Sequence, residues 1–569
     1  MRKGKDLRLT QNYHVAAGKD AIQLSLLSTD MEEFDAVTDP VKIGSAVFQV
    51  ATDSADQLTW KSVGGRLTLE IAPSDQEVSF AINRSVGNLG EIGAVKDLKV
   101  MAAGGDRNWP TTYTVKGELS SDQDSSYVLD TIPVPFENEY QAWMRTSALA
   151  FFDDGRAALT TYGGDVWIVS GIDENLEKVT WSRFASGMFE AFGCEIVDGL
   201  IYVTTRNGIV RLHDLNDDGE ADFYEQFFAD PDVSPKWHAY SFDLVRDGEG
   251  YFYYARNGQF TESQLEGGAY KVSPDGQTHE LYCSGFRTPN GMGILPDGRL
   301  TYGDNQGSYV PAGKLTIGEP GKWHGATNLA GEAGEKRDRV EPILWFPQEV
   351  DNSCGGQHFI NDERFGPYDQ YLVHTSCGKA EAMMVFMDEL PDGTIQASSQ
   401  TFPFAFQSGV MRPLVNPTDG QLYITGTRGW QIKADYDGCL QRIRYTGKTN
   451  PLLLEAKARQ GGIELTFSEP IDQKSALAES FQIEQWNYLW AKTYGSKKYS
   501  VVTPDQEGTD VLSVGSTNVS GGGKTVWIEV PDLKPCHNLS LNYQLKDKQG
   551  RAVENSVNMT LHQLPKKKG

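Results

Sequence analysis

Apolar and polar residues alternate along much of the chain, and this period of two predicts β-strands. Residues 67–71 (Leu-Thr-Leu-Glu-Ile) and 525–530 (Thr-Val-Trp-Ile-Glu-Val) show the alternation clearly. Strands with one buried face have this pattern, whereas an amphipathic helix repeats about every 3.6 residues. No segment has a convincing helical pattern over more than about three turns. The chain is therefore predicted to be all-β.

A second pattern, a strand followed by an Asp-Gly turn and another strand, recurs between Trp143 and Tyr445. It occurs at 151–156, 196–203, 245–248, 295–298 and 416–424, at intervals of about 45 to 50 residues. A gap from about 300 to 410 leaves room for two diverged units. Four-stranded antiparallel units repeated in this way are typical of a β-propeller. About 320 residues at ~50 per blade predict six blades, with seven as the alternative.

The segments on either side of the repeat also have the pattern of strands. Residues 1–100 are predicted to form a β-sandwich-like segment, and the propeller is assigned to 101–448. Residues 449–569 begin with Asn450-Pro451 and continue with half-exposed strands. A length of about 120 residues fits an immunoglobulin-like sandwich.

Composition excludes several classes of partner. The net charge of −25 argues against binding to the phosphate backbone of a nucleic acid, which attracts basic proteins. No apolar run approaches the ~18 residues that a membrane-spanning helix needs. The six cysteines show no metal-binding spacing. Cys354 and Cys377 are both followed by Gly and could form a disulfide; the alternative is that they are free buried thiols.

One acidic loop has the spacing of a calcium ligand set. Asp214, Asn216 and Asp218 alternate ahead of Gly219, which is how a loop wraps a hard cation in oxygen ligands. Counting from Asp214, Glu225 falls at position twelve, where a bidentate Glu belongs. The neighbouring segments are predicted strands rather than the usual helices, so a solvated acidic turn is the alternative.

Two polar residues stand where propeller ligands bind. His238 precedes a predicted inner strand, so its imidazole would face the central channel and could act as a general base. Arg287 holds the same position about one blade later, in Phe-Arg-Thr-Pro-Asn-Gly-Met-Gly at 286–293. Radial repetition makes such positions neighbours, so His238 and Arg287 are predicted to lie at one mouth of the channel. The alternative for His238 is a structural role.

These residues also carry a resemblance to a known family. His238, a polar residue nineteen positions on, and then Arg-x-x-Asn-Gly at 287–291 before Pro-Asp-Gly at 296–298 resemble the soluble quinoprotein glucose and aldose dehydrogenases. Those proteins are six-bladed propellers that bind pyrroloquinoline quinone (PQQ) and calcium. A longer stretch, including Gly-Gly-Asp-Arg-Asn-Trp-Pro at 104–110 and Gly-Val-Met-Arg at 409–412, is similar to bacterial propeller proteins of the L-sorbosone-dehydrogenase-like type.

The resemblance implies roles for individual residues. His238 matches the catalytic base, and Arg287 matches the arginine that contacts the quinone. Asn257 stands where the family has an Asp that orients the base, which is a departure because an amide cannot stabilise the imidazolium. The remaining implied contacts are Asn290, displaced by Thr288-Pro289, Gly291 near the calcium, and three cations for the tricarboxylate: Lys379, Arg412 and Arg428.

The function implied by the resemblance is oxidation of a sugar or sugar-derived aldehyde by bound quinone, in the periplasm or outside the cell, with an electron-acceptor protein as a possible further partner. No signal peptide is visible in the sequence as given. Two alternatives stay open: a polysaccharide lyase or unusual glycosidase, and a non-catalytic carbohydrate-binding module of a larger redox protein. A metal site formed by His324, His358 and His374 is a further alternative, without a characteristic spacing.

Overall fold

The computed structural model describes residues 8–87, 92–102, 104–259, 265, 267–327, 338–429 and 431–567. The chain divides into two compact units. One unit contains residues 1–107 with 214–218, and the other contains 108–213 with 219–569.

The first unit is a sandwich of two antiparallel sheets. Its strands are β1 (Arg8–Val15), β2 (Ile22–Ser28), β3 (Val41–Ile43), β4 (Ala46–Thr52), β5 (Leu58–Val63), β6 (Arg66–Ile71) and β7 (Val78–Val86), followed by the short helix α1 (Leu98–Ala102). The sheet orders are β1-β7-β4-β3 and β2-β6-β5. Phe48 and Phe80 of the first sheet pack with Trp60 and Leu69 of the second, because alternate side chains of each strand point to the same face.

The second unit contains six antiparallel blades, which confirms the predicted six-bladed propeller. Two strands precede the blades, β8 (Thr112–Val115) and β9 (Tyr127–Thr131). Blade 1 contains β10 (Thr146–Phe151), β11 (Ala157–Thr161), β12 (Val166–Ser170) and β13 (Val179–Ala185). Blade 2 contains β14 (Gly193–Val197), β15 (Leu200–Thr205), β16 (Gly208–His213) and β17 (Phe223–Ala229). Blade 3 contains β18 (Ser241–Arg246), β19 (Phe252–Arg256), β20 (Gly268–Val272) and β21 (His279–Ser284). Blade 4 contains β22 (Gly291–Ile294), β23 (Leu300–Asp304), β24 (Gly313–Gly318) and β25 (Leu344–Phe346). Blade 5 contains β26 (Cys354–Phe359), β27 (Leu372–Ser376), β28 (Glu381–Glu389) and β29 (Ile395–Thr401). Blade 6 contains β30 (Gly409–Val415), β31 (Leu422–Thr427) and β32 (Gly438–Tyr445), together with β9.

The ring of blades is closed by both its inner and its outer strands. The inner strands β10, β14, β18, β22, β26 and β30 contact one another in turn, and β30 contacts β10 again. Strand β9, which precedes blade 1 in the chain, pairs antiparallel with β32 as the outer strand of blade 6. The Thr146 hydroxyl donates to the Gly426 carbonyl over 2.6 Å and ties blade 1 to blade 6. Closure leaves few exposed strand edges, which limits edge-to-edge association.

The C-terminal strands form a second sandwich that is continuous with blade 5. They are β33 (Leu453–Arg459), β34 (Gly462–Phe467), β35 (Phe481–Trp486), β36 (Asp510–Leu512), β37 (Thr517–Ser520), β38 (Thr525–Glu529), β39 (Cys536–Lys546) and β40 (Ala552–Leu561). One sheet has the order β33-β34-β38-β37, and the other joins β29 of blade 5 through β40, in the order β29-β40-β39-β35-β36. The predicted boundary at residue 448 therefore lies inside one compact unit.

The described part of the chain contains no disulfide and no helix that could cross a membrane. All six cysteines are buried free thiols, including Cys354 and Cys377. The Cys354 thiol donates to the Asp304 carbonyl over 3.5 Å, and burial raises the pKa of this thiol well above its ordinary value. No helix in the described ranges is long and apolar enough to span a bilayer.

Candidate functional site

His238 and Arg287 both lie just before the inner strand of their blade, on the side of the propeller that we call the front face. The front face is the side on which the inner strands begin. His238 precedes β18 of blade 3, and Arg287 precedes β22 of blade 4, and these two strands are in contact. Burial, and after it the charge of the Arg287 guanidinium, lower the pKa of His238 to about 4. His238 is therefore neutral at physiological pH.

Asn257 fixes the orientation of the His238 ring. It follows β19 and is 2% exposed. Its amide nitrogen Nδ2 lies 2.8 Å from Nδ1 of His238 and 2.7 Å from the backbone carbonyl oxygen of His238. A carbonyl oxygen can only accept a hydrogen bond, so the amide atom beside it must be the NH₂ group. Nδ1 is then also an acceptor, which leaves the proton of the neutral ring on Nε2.

Arg287 is held by contacts on both sides. Its guanidinium donates to the Thr288 hydroxyl over 2.8 Å and to the Tyr494 hydroxyl over 3.2 Å. Its backbone N–H donates to the buried carboxylate of Asp304 at 3.1 Å. Tyr494 comes from the C-terminal sequence and is 59% exposed, so this segment reaches the front face. The sequence contained no signal for that contact, because it joins positions more than 200 residues apart.

Asn290 and Gly291 lie in the tightly packed centre of the ring. The Asn290 amide donates to the Cys354 carbonyl over 3.1 Å, and its own oxygen has no donor among the described residues. A Cβ on Gly291 would come within 2.2 Å of the Gly355 backbone. Glycine at 291 is therefore needed for the close approach of the inner strands of blades 4 and 5. Its predicted role near calcium stays a prediction.

Of the three predicted cations, Arg412 is engaged inside the protein. Its Nε lies 3.2 Å from Asp243 Oδ1, and its guanidinium donates to the Phe192 carbonyl over 3.1 Å. Asp243 belongs to blade 3 and Arg412 to blade 6, which are opposite in a ring of six, so this ion pair crosses the channel. Lys379 is half-buried near the carboxylates of Glu349 and Glu381. Arg428 is 57% exposed, with Asp437 at 3.9 Å.

Beyond this ion pair the channel widens into a cavity of about 340 Å³, the far chamber, lined by the inner strands of all six blades. Burial, and then the charge of Asp243, raise the pKa of Glu195 in this chamber to about 8. Burial lowers the pKa of His358, another lining residue, to about 4. A larger groove of about 560 Å³, lined among others by Phe404 and Tyr543, lies beside the C-terminal sandwich and contains none of the predicted site residues.

Three exposed aromatic side chains mark the front face, and the sequence analysis did not single them out. Trp143, Phe189 and Trp237 precede the inner strands of blades 1, 2 and 3, and are 51%, 60% and 67% exposed. We call them the aromatic rim. A continuous series of ring contacts joins its two tryptophans to His238: Trp143–Tyr162 6.1 Å, Tyr162–Phe192 5.5 Å, Phe192–Tyr240 5.5 Å, Tyr240–His238 5.8 Å and His238–Trp237 5.0 Å. The signal in the sequence that could have identified the aromatic rim is its position, because each of the three residues stands three or four residues before the inner strand of its blade.

The three loop residues predicted to bind calcium lie in one tight turn. The Asp218 backbone N–H donates to Asp214 Oδ1 and to Asn216 Oδ1, each over 3.1 Å. The Asn216 amide donates to Asp218 Oδ2 over 3.2 Å. Side-chain oxygens that cap a turn in this way are also common in loops without a metal. Calcium binding at this turn stays a prediction.

Glu225, the fourth predicted calcium ligand, is on β17 and is engaged by the side chains of His213 and Arg211. His213 Nε2 lies 2.7 Å from one carboxylate oxygen, and Arg211 binds both oxygens over 2.7 and 2.9 Å. Their hydrogen bonds, with that of His213 the stronger influence, lower the pKa of Glu225. The carboxylate is thus ionised and occupied by protein donors.

The three histidines considered for a metal site have separate surroundings. His324 stacks on Phe286 at 4.8 Å, His358 lines the far chamber, and Nε2 of His374 lies 2.8 Å from Oδ2 of Asp351. Within the described ranges, one group of three potential metal ligands has its donor atoms within 4.8 Å of one another: Asp351, Cys354 and His374. All three are buried inside the protein.

The comparisons with known proteins give structural similarity only. No protein-family model and no curated protein sequence matches the chain. Among solved structures, it is similar to an inferred oxidoreductase (glucose dehydrogenase) of Thermus thermophilus, with a TM-score of 0.42 and 18% identity over 52% of this chain and 96% of that one. It is also similar to the PQQ-bound aldose sugar dehydrogenase of Streptomyces coelicolor, with a TM-score of 0.41 and 13% identity over 56% and 100%.

A third similarity is to the extracellular domain of an inferred hybrid two-component system of Bacteroides thetaiotaomicron, with a TM-score of 0.29 and 9% identity over 94% of this chain and 70% of that one. The first two structures belong to the class of sugar dehydrogenases that the sequence motifs resemble. With all three TM-scores below 0.5, none of them assigns a function to this chain.

Proposed function

We propose that the front face of the propeller binds a carbohydrate. The observation that carries this proposal is the aromatic rim, three exposed rings at equivalent positions of successive blades, of which the two tryptophans are joined by ring contacts to His238. Large exposed apolar side chains that cluster beside polar groups are typical of ligand-binding surfaces. A sugar ring has an apolar C–H face and a polar edge of hydroxyls. Aromatic rings cover the first, and fixed hydrogen-bonding groups bind the second.

A buried ion pair supports two of the three rim residues, Phe189 and Trp237. Arg206 binds both oxygens of Glu190 over 2.6 and 2.7 Å, and both side chains are almost fully buried. The same guanidinium lies 5.0 Å from the ring centre of Phe189 and donates to the Lys236 carbonyl, next to Trp237, over 2.8 Å. The backbone next to Phe189 and next to Trp237 is therefore fixed before a ligand arrives. A preorganised surface loses less conformational entropy on binding.

Oxidation of the bound sugar by a quinone is the second candidate function, and the proximity of His238 and Arg287 favours it. Arg287 would contact a quinone oxygen, and Lys379 and Arg428 could pair with carboxylates of PQQ. When bound, PQQ would supply the acceptor for a hydride from sugar carbon. Arg412 does not fit this set, because Asp243 and the Phe192 carbonyl already engage it.

His238 does not fit the part of a base in that reaction. A base needs a nitrogen with a free lone pair, but Nδ1 accepts from Asn257 and Nε2 carries the proton of the neutral ring. His238 thus fits a role in binding more closely than it fits proton abstraction. The same objection applies to a lyase that would use His238. An extracytoplasmic location and an electron-acceptor protein are proposed together with the quinone-dependent oxidation.

Calorimetric titration with cellohexaose, maltohexaose, xylohexaose and laminarihexaose tests the binding proposal. Trp143→Ala and Trp237→Ala should each weaken binding roughly tenfold, equivalent to about 1.4 kcal/mol for the loss of a stacked ring. Phe223→Ala is the matched control, because Phe223 is an equally exposed aromatic residue, 50%, at the start of an outer strand. Binding that Trp143→Ala and Trp237→Ala leave unchanged would show that the rim is not the sugar site.

A further inference from the structure

We infer that Asn257 holds His238 as the neutral tautomer with its proton on Nε2, so that neither ring nitrogen of His238 offers a lone pair to a substrate and His238 is not a base. Asn257 is then a positioning residue that separates sugar binding from sugar oxidation. This inference deepens the proposed carbohydrate site and rests on it for the identity of the ligand. The tautomer itself follows from protein contacts alone.

The amide cannot take the opposite orientation. Rotating it by half a turn would place Oδ1, instead of Nδ2, at 2.7 Å from the His238 carbonyl oxygen, and two acceptors at that distance repel. The Asn257 side chain is 2% exposed, so it has no room to move into solvent. Its backbone N–H also donates to the Tyr240 carbonyl over 3.3 Å. The backbone carbonyl of His238 therefore determines which amide atom meets the ring.

The opposite tautomer of His238 is excluded by the same contact. A proton on Nδ1 would point at the NH₂ group of Asn257, 2.8 Å away, and two donors would then face each other. The imidazolium has the same conflict, since it also carries a proton on Nδ1, and burial and the Arg287 charge disfavour it as well. A single proton on Nε2 satisfies both contacts.

An aspartate at position 257 would reverse this arrangement. A carboxylate accepts a hydrogen bond and cannot donate one when ionised. It would bind the N–H of Nδ1, leave the Nε2 lone pair free, and stabilise the imidazolium by its charge. The His238 carbonyl oxygen, which now accepts from the Asn257 amide, would then face a carboxylate oxygen. Because two acceptors repel, Asn257→Asp carries a risk of local rearrangement.

Nitrogen NMR of the full chain labelled with ¹⁵N-histidine tests the inference directly on the wild type. His238 is assigned by the signal that disappears in His238→Gln. We expect a pyrrole-type Nε2 and a pyridine-type Nδ1 in the wild type. In Asn257→Asp the two types should exchange and the pKa of His238 should rise. In Asn257→Ala, which removes the donor and adds no charge, the two tautomers should both be populated.

A pyridine-type Nε2 in the wild type would overturn the inference, whether or not the variants fold. So would oxidation of glucose by the wild type with added PQQ and calcium, seen as bleaching of the quinone absorbance, if His238→Gln abolished it. Failure of the carbohydrate proposal is distinguishable from failure of this one. It would appear in the calorimetric titrations and would leave the nitrogen shifts of His238 unchanged.

Discussion

The ion pair between Asp243 and Arg412 gives a quantitative test of how the centre of the propeller is held together. Both side chains are less than a tenth exposed. Asp243 also accepts from the Met292 backbone N–H over 2.8 Å, and Arg412 donates to the Phe192 carbonyl. Two side chains thus connect blades 2, 3, 4 and 6. The perturbations are Arg412→Met, Asp243→Asn and the double variant.

Burial costs both partners of this pair more than their attraction returns. Burial raises the pKa of Asp243 despite the nearby Arg412 charge, and burial lowers the pKa of Arg412 despite Asp243. Each shift favours the neutral form. Removing one partner leaves the other charge buried and unpaired, which costs about 3 kcal/mol or more. Removing both relieves that cost, so the double variant should lose no more stability than the worse single variant.

Amide hydrogen exchange of the inner strands β18 and β30 is the appropriate assay, because it reports local free energies of opening and does not require the whole chain to unfold in two states. We expect each single variant to exchange roughly 100-fold faster, corresponding to about 3 kcal/mol. The coupling energy from the double-mutant cycle should be about 3 kcal/mol. Additive effects of the two substitutions would refute the reasoning, since they would show that neither charge needs the other.

The same pair predicts a dependence on pH. The pKa of Asp243 is raised in the folded protein above its ordinary value of 3.8. An acid with a raised folded-state pKa stabilises the fold below its ordinary pKa, and this contribution is lost as pH rises through the raised value. Asp243→Asn has no such proton, so the stability difference between it and the wild type should change with pH above 3.8. A stability difference that stays constant with pH would contradict the raised pKa of Asp243.

Three further outcomes are expected. Gly291→Ala should destabilise the propeller by about 2 kcal/mol or more in chemical denaturation, because the new methyl group meets the backbone of the next blade. Gly248→Ala is the control and should be nearly neutral, because a Cβ at Gly248 meets open space. Glu195→Gln should remove a loss of stability that the wild type shows between its ordinary pKa of 4.5 and about 8, and equal pH profiles would argue against a buried carboxyl there. If calcium binds the acidic turn, added calcium should raise the Tm of the wild type and of Glu225→Gln but not of Asp214→Asn. A wild-type Tm that neither calcium nor chelator changes would show that the segment is only an acidic turn.

The sequence by itself determined the architecture of the propeller. Alternating residues and Asp-Gly turns are local signals, because the strand period and the turn conformation each depend on a few adjacent residues. Repetition at about blade spacing then implies radial stacking. That is why the sequence predicts six blades, and why it predicts His238 and Arg287, about one blade apart, near one mouth of the channel.

The tertiary structure alone decided which partners these side chains have. Arg412 was available for a cofactor in the sequence, but ring closure places it opposite Asp243. Asn257 could have accepted from His238 or donated to it, and the position of one backbone carbonyl decided that it donates. Tyr494 reaches Arg287 because the C-terminal sandwich continues the sheet of blade 5. Each of these contacts joins groups whose relative position depends on the closed ring and on side-chain orientation, and neither is encoded in a local period of residues.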